Sequence, residues 1–301
     1  MMKILITGGA GLIGTALSKS LERRGHEVAV LTRNLNEKTE YKQYLWDPLN
    51  AEIDELAFKN LDCIIHLVGA NIAEKRWTKK CKEELFSSRV DTAQFLFRKI
   101  KELNIPLKSF ISSSAIGWCG VETTEDIYTE EAKASNHFLG QLCERWEQVA
   151  DAFESLGCKV SKVRTGVVLS KDGGALAKMI NPIMWGQGDS LGSGIQYMPW
   201  IHMDDLCEIY LQLAEGTIPI GVYNGVAPDH ITNGSLTQLL ALSLGKSLWM
   251  PNTPSWALCM LFGKMSSMLL NGSRVSSRKL IDNGFEFKYP TTTGAVASII
   301  L

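Results

Sequence analysis

The sequence lacks an excess of either charge. Its 31 lysines and arginines stand against 32 aspartates and glutamates, which gives a formal net charge of −1, and no run of basic residues appears. Proteins that bind nucleic acid concentrate positive charge on one face to neutralise phosphates. We therefore expect no nucleic-acid partner.

Cysteine is present, but not in the pairs that bind metals or carry redox chemistry. The seven cysteines are scattered, and no two of them form a Cys-x-x-Cys pair. An odd, dispersed set is typical of reduced thiols, several of which stand in apolar runs as small core residues. The pattern predicts a cytoplasmic protein without a metal site.

No apolar run is long enough to span a membrane. The most apolar segment, residues 255–270, is shorter than the roughly 20 residues that a spanning helix needs, and Lys264 interrupts it. We expect this segment to form a buried or subunit-contact helix, and we expect no membrane partner. The first residues are strand-like and lack the basic region and cleavage site of a signal peptide, so none is expected.

What the sequence does have is a glycine-rich turn near its start. An apolar run over residues 3–7 predicts a buried strand, and Gly9, Gly11 and Gly14 follow in the pattern G-x-G-x-x-G. A helix to about residue 24 and a second apolar run, 27–31, complete a strand–helix–strand unit. In this context the glycines allow a tight turn and close approach of a pyrophosphate to unpaired helix amides. The residues predicted to bind the dinucleotide phosphates are Gly8, Gly9, Ala10, Gly11, Leu12, Ile13 and Gly14.

The end of the second predicted strand indicates which dinucleotide is bound. An NAD site normally places an acidic residue there to accept from the ribose hydroxyls, but this chain has Thr32, Arg33 and Asn34. A guanidinium suits a 2′-phosphate, because it forms paired charge-assisted hydrogen bonds with it. The alternative is a solvated surface arginine. We predict NADP(H), with Thr32 and Arg33 among its contacts.

A third apolar run, 61–68, predicts the next parallel strand and a second loop at the cofactor. Ligands of such sheets lie beyond the carboxyl ends of the strands. The residues predicted to line the cofactor here are Leu67, Val68, Gly69 and Ala70. His66, inside the strand, is interpreted as a core residue. Residues 77–103 have helical periodicity and pass the same edge, so Glu84 and Arg89 are predicted cofactor contacts rather than plain surface charge.

The second half of the chain continues the alternation and then changes composition. A strand over 107–112 leads into Ser112, Ser113 and Ser114, a helix is predicted over 130–156, and a strand follows over 158–163. Ser112, and Val168 in the segment R-T-G-V-V-L (164–169), are predicted cofactor contacts. Glycines and prolines then become frequent, including Gly186 and Gly188, which is typical of substrate-side loops. Asp204 is predicted to cap a helix ending near residue 215.

These segments predict an α/β protein, a Rossmann-type doubly wound parallel sheet with a smaller, mainly helical C-terminal substrate lobe. The NADP-binding domain is predicted over 1–170, with a strand and helix returning to it from 200–225. The substrate lobe and C-terminal helical region are predicted over 171–301.

The sequence resembles the extended short-chain dehydrogenase/reductases. The motifs that carry the resemblance are T-G-G-A-G-L-I-G (7–14), L-V-G-A (67–70), S-S-S-A (112–115), R-T-G-V-V-L (164–169) and W-I-H-M-D-D-L (200–206). The segments G-S-G-I-Q-Y-M-P-W-I-H (192–202), Y-N-G-V-A-P (223–228) and G-F-E-F-K-Y-P (284–290) are similar to the atypical YfcH-like branch, the epimerase family proteins. The resemblance covers nearly the whole chain and implies bound NADP(H) and a C-terminal substrate lobe.

The chain departs from that family at the catalytic pair. Typical members carry Tyr-x-x-x-Lys on the helix after the serine strand, but none of the seven tyrosines here has a lysine four residues later. Depending on the register, Phe138 and Leu142 or His137 and Gln141 take those two positions. Ser114 matches the family's hydrogen-bonding serine. The candidate catalytic residues are Ser114, His137, Tyr197 and His202.

Two functions are compatible with this pattern. The first is an NADP-dependent oxidoreductase or epimerase acting on a small carbonyl or nucleotide-sugar-like substrate, by analogy with the family. The second is an NADPH-binding regulator or scaffold without turnover, which the missing Tyr and Lys favour. The substrate is unknown, and the sequence is compatible with a monomer or a homodimer.

Overall fold

Eight strands form one sheet through the middle of the molecule, a computed structural model that describes residues 1–35, 39–120, 122–185 and 189–300. Gly186 and Gly188, predicted to lie in a substrate-side loop, fall outside the described residues. The strands, in chain order, are β1 (Lys3–Thr7), β2 (Glu27–Thr32), β3 (Lys42–Asp47), β4 (Glu52–Ile53), β5 (Cys63–His66), β6 (Ser109–Ala115), β7 (Ile127–Tyr128), β8 (Lys159–Thr165), β9 (Val167–Leu169), β10 (Trp200–His202), β11 (Val222–Gly225) and β12 (Arg274–Val275).

The helices connect the strands and build the C-terminal part of the chain. They are α1 (Leu12–Arg23), α2 (Lys79–Ser87), α3 (Val90–Glu102), α4 (Phe138–Asp151), α5 (Ala175–Met184), α6 (Met203–Glu215), α7 (Asn233–Ser243), α8 (Ser255–Phe262), α9 (Ser266–Leu270), α10 (Arg278–Asp282) and α11 (Thr292–Ile300). A short 3-10 turn, Gly263–Met265, joins α8 to α9.

The strand order of the sheet is β11-β8-β6-β5-β1-β2-β3-β4, and every pairing in it is parallel except that of β3 with β4. The chain winds outward from β1 in one direction and then from β5 in the other. The crevice of a doubly wound sheet opens where this direction changes, beyond the carboxyl ends of the strands. Here that point lies between β1 and β5, and the predicted fold class is confirmed.

Apolar helix faces cover both sides of the sheet. Residues of α1 and α6 pack on one side, around Leu17 and Tyr210. Residues of α3 and of the segment after α4 pack on the other, around Phe95 and Phe153. Because both faces are covered, every residue of β1 from Lys3 to Thr7 is buried, and its three central residues are apolar.

The C-terminal lobe has an apolar cluster of its own, built from α5, α7, α11 and the β9–β10 pair, with Trp200 fully buried at its centre. The segment 200–225 supplies α6, which packs against α1, and β11, which pairs with β8 at the sheet edge. The boundary predicted at residue 170 stays a prediction.

The prediction of one helix over 77–103 is wrong in one respect, because the segment forms two helices. The helical backbone is interrupted at Ser88 and Arg89, between α2 and α3. The Ser88 hydroxyl accepts from the Ala70 amide at 3.0 Å, and the Arg89 guanidinium donates to the Ala70 carbonyl at 2.9 Å. Apolar periodicity continues across the break, so the pattern alone did not reveal it.

The helix predicted over 130–156 begins later than expected, at Phe138. Glu130 is tied to the sheet instead: its carbonyl accepts from Arg164, and its carboxylate accepts from the Asn224 amide at 2.9 Å. The chain at Ser135 then passes so close to α4 that a Cβ on Gly140 would lie 2.2 Å from the Ser135 carbonyl oxygen.

Two predictions about the later helices also need correction. Asp204 does not cap α6: His202 is the N-cap, and its Nδ1 accepts from the Asp204 amide at 3.1 Å. The segment 255–270, expected to form one buried or subunit-contact helix, forms two helices, α8 and α9. The α8 side chains Trp256 and Met260 are 67% and 70% exposed, so α8 is not buried within the chain, and a subunit contact there stays a prediction. No helix within the described residues has the length and apolar character to cross a membrane.

The close approach at Gly140 predicts that alanine destabilises the fold there, although helix propensity favours alanine. Alanine is favoured over glycine inside a helix by about 1 kcal/mol, but the added Cβ would meet Ser135 backbone. We expect Gly140→Ala to lower the free energy of unfolding by about 1–3 kcal/mol in urea denaturation. Gly294→Ala, at an exposed position of α11 where the Thr291 hydroxyl is the near neighbour, is the control and should be neutral or stabilising. A stabilised Gly140→Ala variant would contradict the packing described here.

Candidate functional site

The glycine-rich turn closes over the carboxyl end of β1. The Gly11 amide donates to the Gly8 carbonyl at 3.0 Å, and α1 begins at the next residue. A Cβ on Gly9 would lie 1.7 Å from Val30 Cγ1, and one on Gly14 would lie 2.4 Å from the Gly8 oxygen. Glycine at these two positions therefore lets the turn lie flat against β2 and against its own start.

The first amides of α1 lie at this edge of the sheet without a side-chain cap. Such amides have no partner within the helix and are suited to an anion. Ala10 is exposed here, and Leu12 and Ile13 are half-buried. Val168, on β9, packs with Leu12 against the α1–α6 core, which places it beside the start of α1.

The second loop of the crevice, residues 67–70, is held by Thr7 and His66. The Leu67 and Val68 amides lie 3.2 and 3.3 Å from the Thr7 hydroxyl oxygen, which is 3.0 Å from His66 Nδ1. Burial lowers the pKa of His66 to about 4, so the ring is neutral near pH 7. His66 is thus a core residue that fixes this loop opposite the glycine-rich turn.

Arg89 lies against the same loop without an acidic partner. Its guanidinium donates to the carbonyls of Ala70 and Leu85 and lies 5.2 Å from the ring of Trp146. A Cβ on Gly69 would come within 2.8 Å of the guanidinium carbon. Burial lowers the pKa of Arg89, and no carboxylate in the described part of the chain forms an ion pair with it. Arg89 is half-buried, and a cation that is partly removed from water without an anion is costly, so this position is suited to one.

The other predicted charged contacts lie further out. Glu84 is on the exposed side of α2, and its carboxylate is 3.8 Å from Lys75 Nζ. Arg33 is exposed after β2, next to a turn in which the Thr32 hydroxyl donates to the Asn34 carbonyl at 2.7 Å. Within the described ranges Arg33 forms no ion pair, and its charge contributes to the lowered pKa of Asp47.

The serine strand ends in a buried polar network that the sequence did not predict. The Ser114 hydroxyl donates to Glu147 Oε1 at 2.6 Å, and Arg164 donates to both oxygens of the same carboxylate at 2.8 and 3.0 Å. The Arg164 guanidinium lies 3.6 Å from the ring of Trp118. Ser112 is buried as well, with its hydroxyl on the Ser113 carbonyl. The Ser114 hydroxyl therefore donates its proton to Glu147 in this structure and does not offer it to a ligand.

The positions of the missing Tyr and Lys are apolar and face inward. Phe138 and Leu142 belong to a cluster between α2, α4 and the C-terminal segment. His137 and Gln141 are exposed instead, and His137 Nε2 lies 3.5 Å from Glu122 Oε1. The inward register is therefore that of Phe138 and Leu142, neither of which exchanges protons.

The remaining two candidates are already engaged. The Tyr197 hydroxyl donates to Glu125 Oε2 at 3.3 Å. His202 is buried, caps α6 and lies against Tyr289, with the ring centroids 3.9 Å apart and the rings tilted by 42°. Burial lowers the pKa of His202, which favours a structural neutral ring.

Comparison with known proteins agrees with this arrangement. Residues 4–224 match the NAD dependent epimerase/dehydratase family, and residues 253–299 match a domain of unknown function, DUF1731. The chain belongs to the NAD dependent epimerase/dehydratase family. The resemblance inferred from its motifs is thereby confirmed.

Relatives of this family member cover its whole length. Epimerase family protein SDR39U1 of Mus musculus is 32% identical over 303 residues, with 99% of this chain and 100% of the relative covered. An epimerase family protein of Staphylococcus aureus is 32% identical over 303 residues, with 100% of this chain and 99% of the relative covered.

Solved structures show the same architecture. Human SDR39U1 (isoform 2), crystallised with NADPH, matches with a TM-score of 0.87 at 31% identity, covering 99% of both chains. UDP-glucose 4-epimerase from Thermotoga maritima, crystallised with UDP-glucose, matches with a TM-score of 0.81 at 20% identity, covering 99% of this chain and 97% of the other. The second likeness concerns the fold alone.

The buried pair of Glu147 and Arg164 is open to a double-mutant test. We expect Arg164→Met to lower the free energy of unfolding by about 3–5 kcal/mol, because it leaves a buried carboxylate without its cation. Arg164→Met combined with Glu147→Met should recover most of that loss, since neither charge remains. Urea denaturation measures both.

The control for this cycle is Arg278→Met, which removes an exposed partner of Asp282 and should cost less than about 1 kcal/mol. If Arg164→Met were as mild as Arg278→Met, Glu147 would not be a buried charge that depends on Arg164.

Proposed function

We propose that the chain binds NADP(H) in the crevice between β1 and β5 and is an oxidoreductase or epimerase-like enzyme acting on a small carbonyl or nucleotide-sugar-like substrate. The observation that carries the proposal is the Arg89 guanidinium, which is largely buried against residues 69 and 70 without a carboxylate partner in the described chain. A phosphate of the dinucleotide would supply the missing negative charge.

The rest of the crevice fits a dinucleotide. The glycine-rich turn leaves no Cβ between the backbone and a pyrophosphate, and the uncapped amides of α1 are its hydrogen-bond donors. Arg33 stands at the far end, where a 2′-phosphate distinguishes NADP(H) from NAD(H). Glu84 stays in the proposal as an acceptor for a ribose hydroxyl. The family's name and the NADPH bound to human SDR39U1 support the cofactor class.

Bound NADPH supplies a hydride, and the chain has to hold the substrate and provide a proton path. Phe138 and Leu142 give the substrate an apolar wall and no proton. The Ser114 hydroxyl would have to leave Glu147 to donate to a substrate carbonyl. Of the predicted proton carriers, Tyr197 donates to Glu125 and His202 is buried as the N-cap of α6. His137 is exposed next to Phe138, so it is the one this proposal favours.

The apolar residues Phe138 and Leu142 also favour a second function, which is NADPH binding without turnover. With no proton-exchanging pair at 138 and 142 and with Ser114 bound to Glu147, the protein would bind NADPH as a regulator or scaffold without turnover. A cytoplasmic location, and the open choice between monomer and homodimer, stay predictions of the sequence.

Arg33 gives the test of cofactor choice. We expect Arg33→Ala to weaken NADPH binding about tenfold or more while changing NADH binding about twofold or less, because only NADPH carries the 2′-phosphate. Calorimetric titration of both coenzymes measures this. Arg98→Ala, which removes an exposed arginine of α3, is the control and should change neither. Equal losses for NADPH and NADH in Arg33→Ala would refute the contact.

Transfer of label separates the enzyme from the regulator. The wild-type chain is incubated anaerobically with NADPH deuterated at nicotinamide C4 and a panel of small carbonyl compounds and nucleotide-sugars. The enzyme proposal expects deuterium in one of the products, and expects His137→Gln to slow its appearance while NADPH binding is kept. Tight NADPH binding with no transfer to any compound would favour the regulator.

A further inference from the structure

A cavity of about 370 Å³ lies beside the predicted substrate wall. It opens between α2, the first turn of α4 and the 3-10 turn that joins α8 to α9. Three aromatic side chains line it: Trp77, Phe86 and Phe138. The rings of Trp77 and Phe138 lie 5.4 Å apart, tilted by 60°. A cavity of this size is within the range of small-molecule sites.

The charged side chains around these rings are mostly positive. Lys79, Lys82 and Lys264 line the cavity, and Glu83 is the one acidic residue among the lining side chains described. None of the three lysines forms an ion pair within the described ranges. The first turn of α2 contains no acidic residue, so the partial positive charge of the helix start is left uncompensated too.

Lysine and aromatic groups are in direct contact at this place. The Lys82 ammonium lies 4.4 Å from the centre of the Phe138 ring, a cation–π distance. Lys82 is half-buried, which limits screening of its charge. A ligand that enters the cavity thus meets ring faces and ammonium groups together.

The cavity adjoins the crevice proposed for the cofactor. Trp77 and Phe138 share one apolar cluster with Ala70, from the loop that also contacts Arg89, and with Met265 of the C-terminal segment. Phe138 is also the inward-facing residue at the position where the family has its catalytic tyrosine. A ligand here would therefore lie between the crevice and the C-terminal lobe.

We propose that this cavity binds a planar organic anion, a ring that carries a phosphate or carboxylate group, with the ring on Trp77 and Phe138 and the anion on Lys82 and Lys264. The role of this cavity as a substrate site rests on the proposed function, whereas the binding of the anion does not. If the chain is the proposed enzyme, the cavity adds a planar organic anion as the class of its substrate.

The test uses phenyl phosphate as the probe, titrated by calorimetry into the full chain with and without saturating NADPH. Phenol and inorganic phosphate are the matched half-probes. We expect phenyl phosphate to bind about tenfold more tightly than either half, because it engages the rings and the lysines together. The variant Lys82→Gln/Lys264→Gln should weaken it about fivefold or more.

Lys80→Gln is the control, since Lys80 is an exposed lysine of the same helix that does not line the cavity, and it should change binding less than twofold. Thermal unfolding of each variant checks that the fold is kept. Phenyl phosphate that binds no better than inorganic phosphate, or that is weakened equally by Lys80→Gln, would overturn the proposal. Binding of phenyl phosphate with the expected lysine dependence but no binding of NADPH would support this site and refute the proposed function.

Discussion

A guanidinium that is largely out of water and has no acidic neighbour is the constraint on which the rest of this account depends. Arg89 is held at the break between α2 and α3, against the loop that follows β5. The topology brings that loop opposite the glycine-rich turn, because β1 and β5 are neighbours at the point where the winding reverses. The crevice therefore combines uncapped amides with an uncompensated cation, and both are suited to phosphate.

Helix α4 contacts two arginines, of which Arg164 has an acidic partner and Arg89 has none in the described chain. Two adjacent residues of α4 each contact an arginine: Trp146 lies beside Arg89, and Glu147 pairs with Arg164. The chain thus neutralises Arg164, whereas the described partners of the Arg89 guanidinium are two carbonyls, the Ser88 hydroxyl and the Trp146 ring. Arg164 ties α4 to the sheet through Glu147, whose carboxylate also accepts from the Ser114 hydroxyl. Arg89 lies against the loop at residues 69 and 70.

Much of the fold could be predicted from the sequence because its signals are local. The apolar run and glycine spacing at the start predicted β1, the turn and α1, and β5 (Cys63–His66) lies within the apolar run at 61–68 that predicted a strand. What could not be predicted depends on distant contacts. The break at Arg89 depends on the carbonyl of Ala70, and the late start of α4 follows from the bonds that hold Glu130 to Arg164 and Asn224.

Some residues of the candidate site could likewise be predicted from local patterns, and others could not. Glycines at the turn are recognisable from spacing, whereas the role of Glu147 is not, because a glutamate on a helix is usually solvated. A signal was present, since Glu147 continues the inward stripe of Leu142, Cys143, Trp146 and Ala150. The lysine and aromatic cavity joins segments from 77 to 264 and has no local pattern at all.

The most direct measurement of the central claim is calorimetric titration of the wild-type chain with NADPH, together with its unfolding in the presence of the coenzyme. The account predicts one saturable site per chain, and at about 100 times the dissociation constant a gain of about 2.7 kcal/mol in the free energy of unfolding. If neither NADPH nor NADH produced heat or stabilised the chain, the claim would be contradicted. The uncompensated charge of Arg89 would then not serve to bind a dinucleotide.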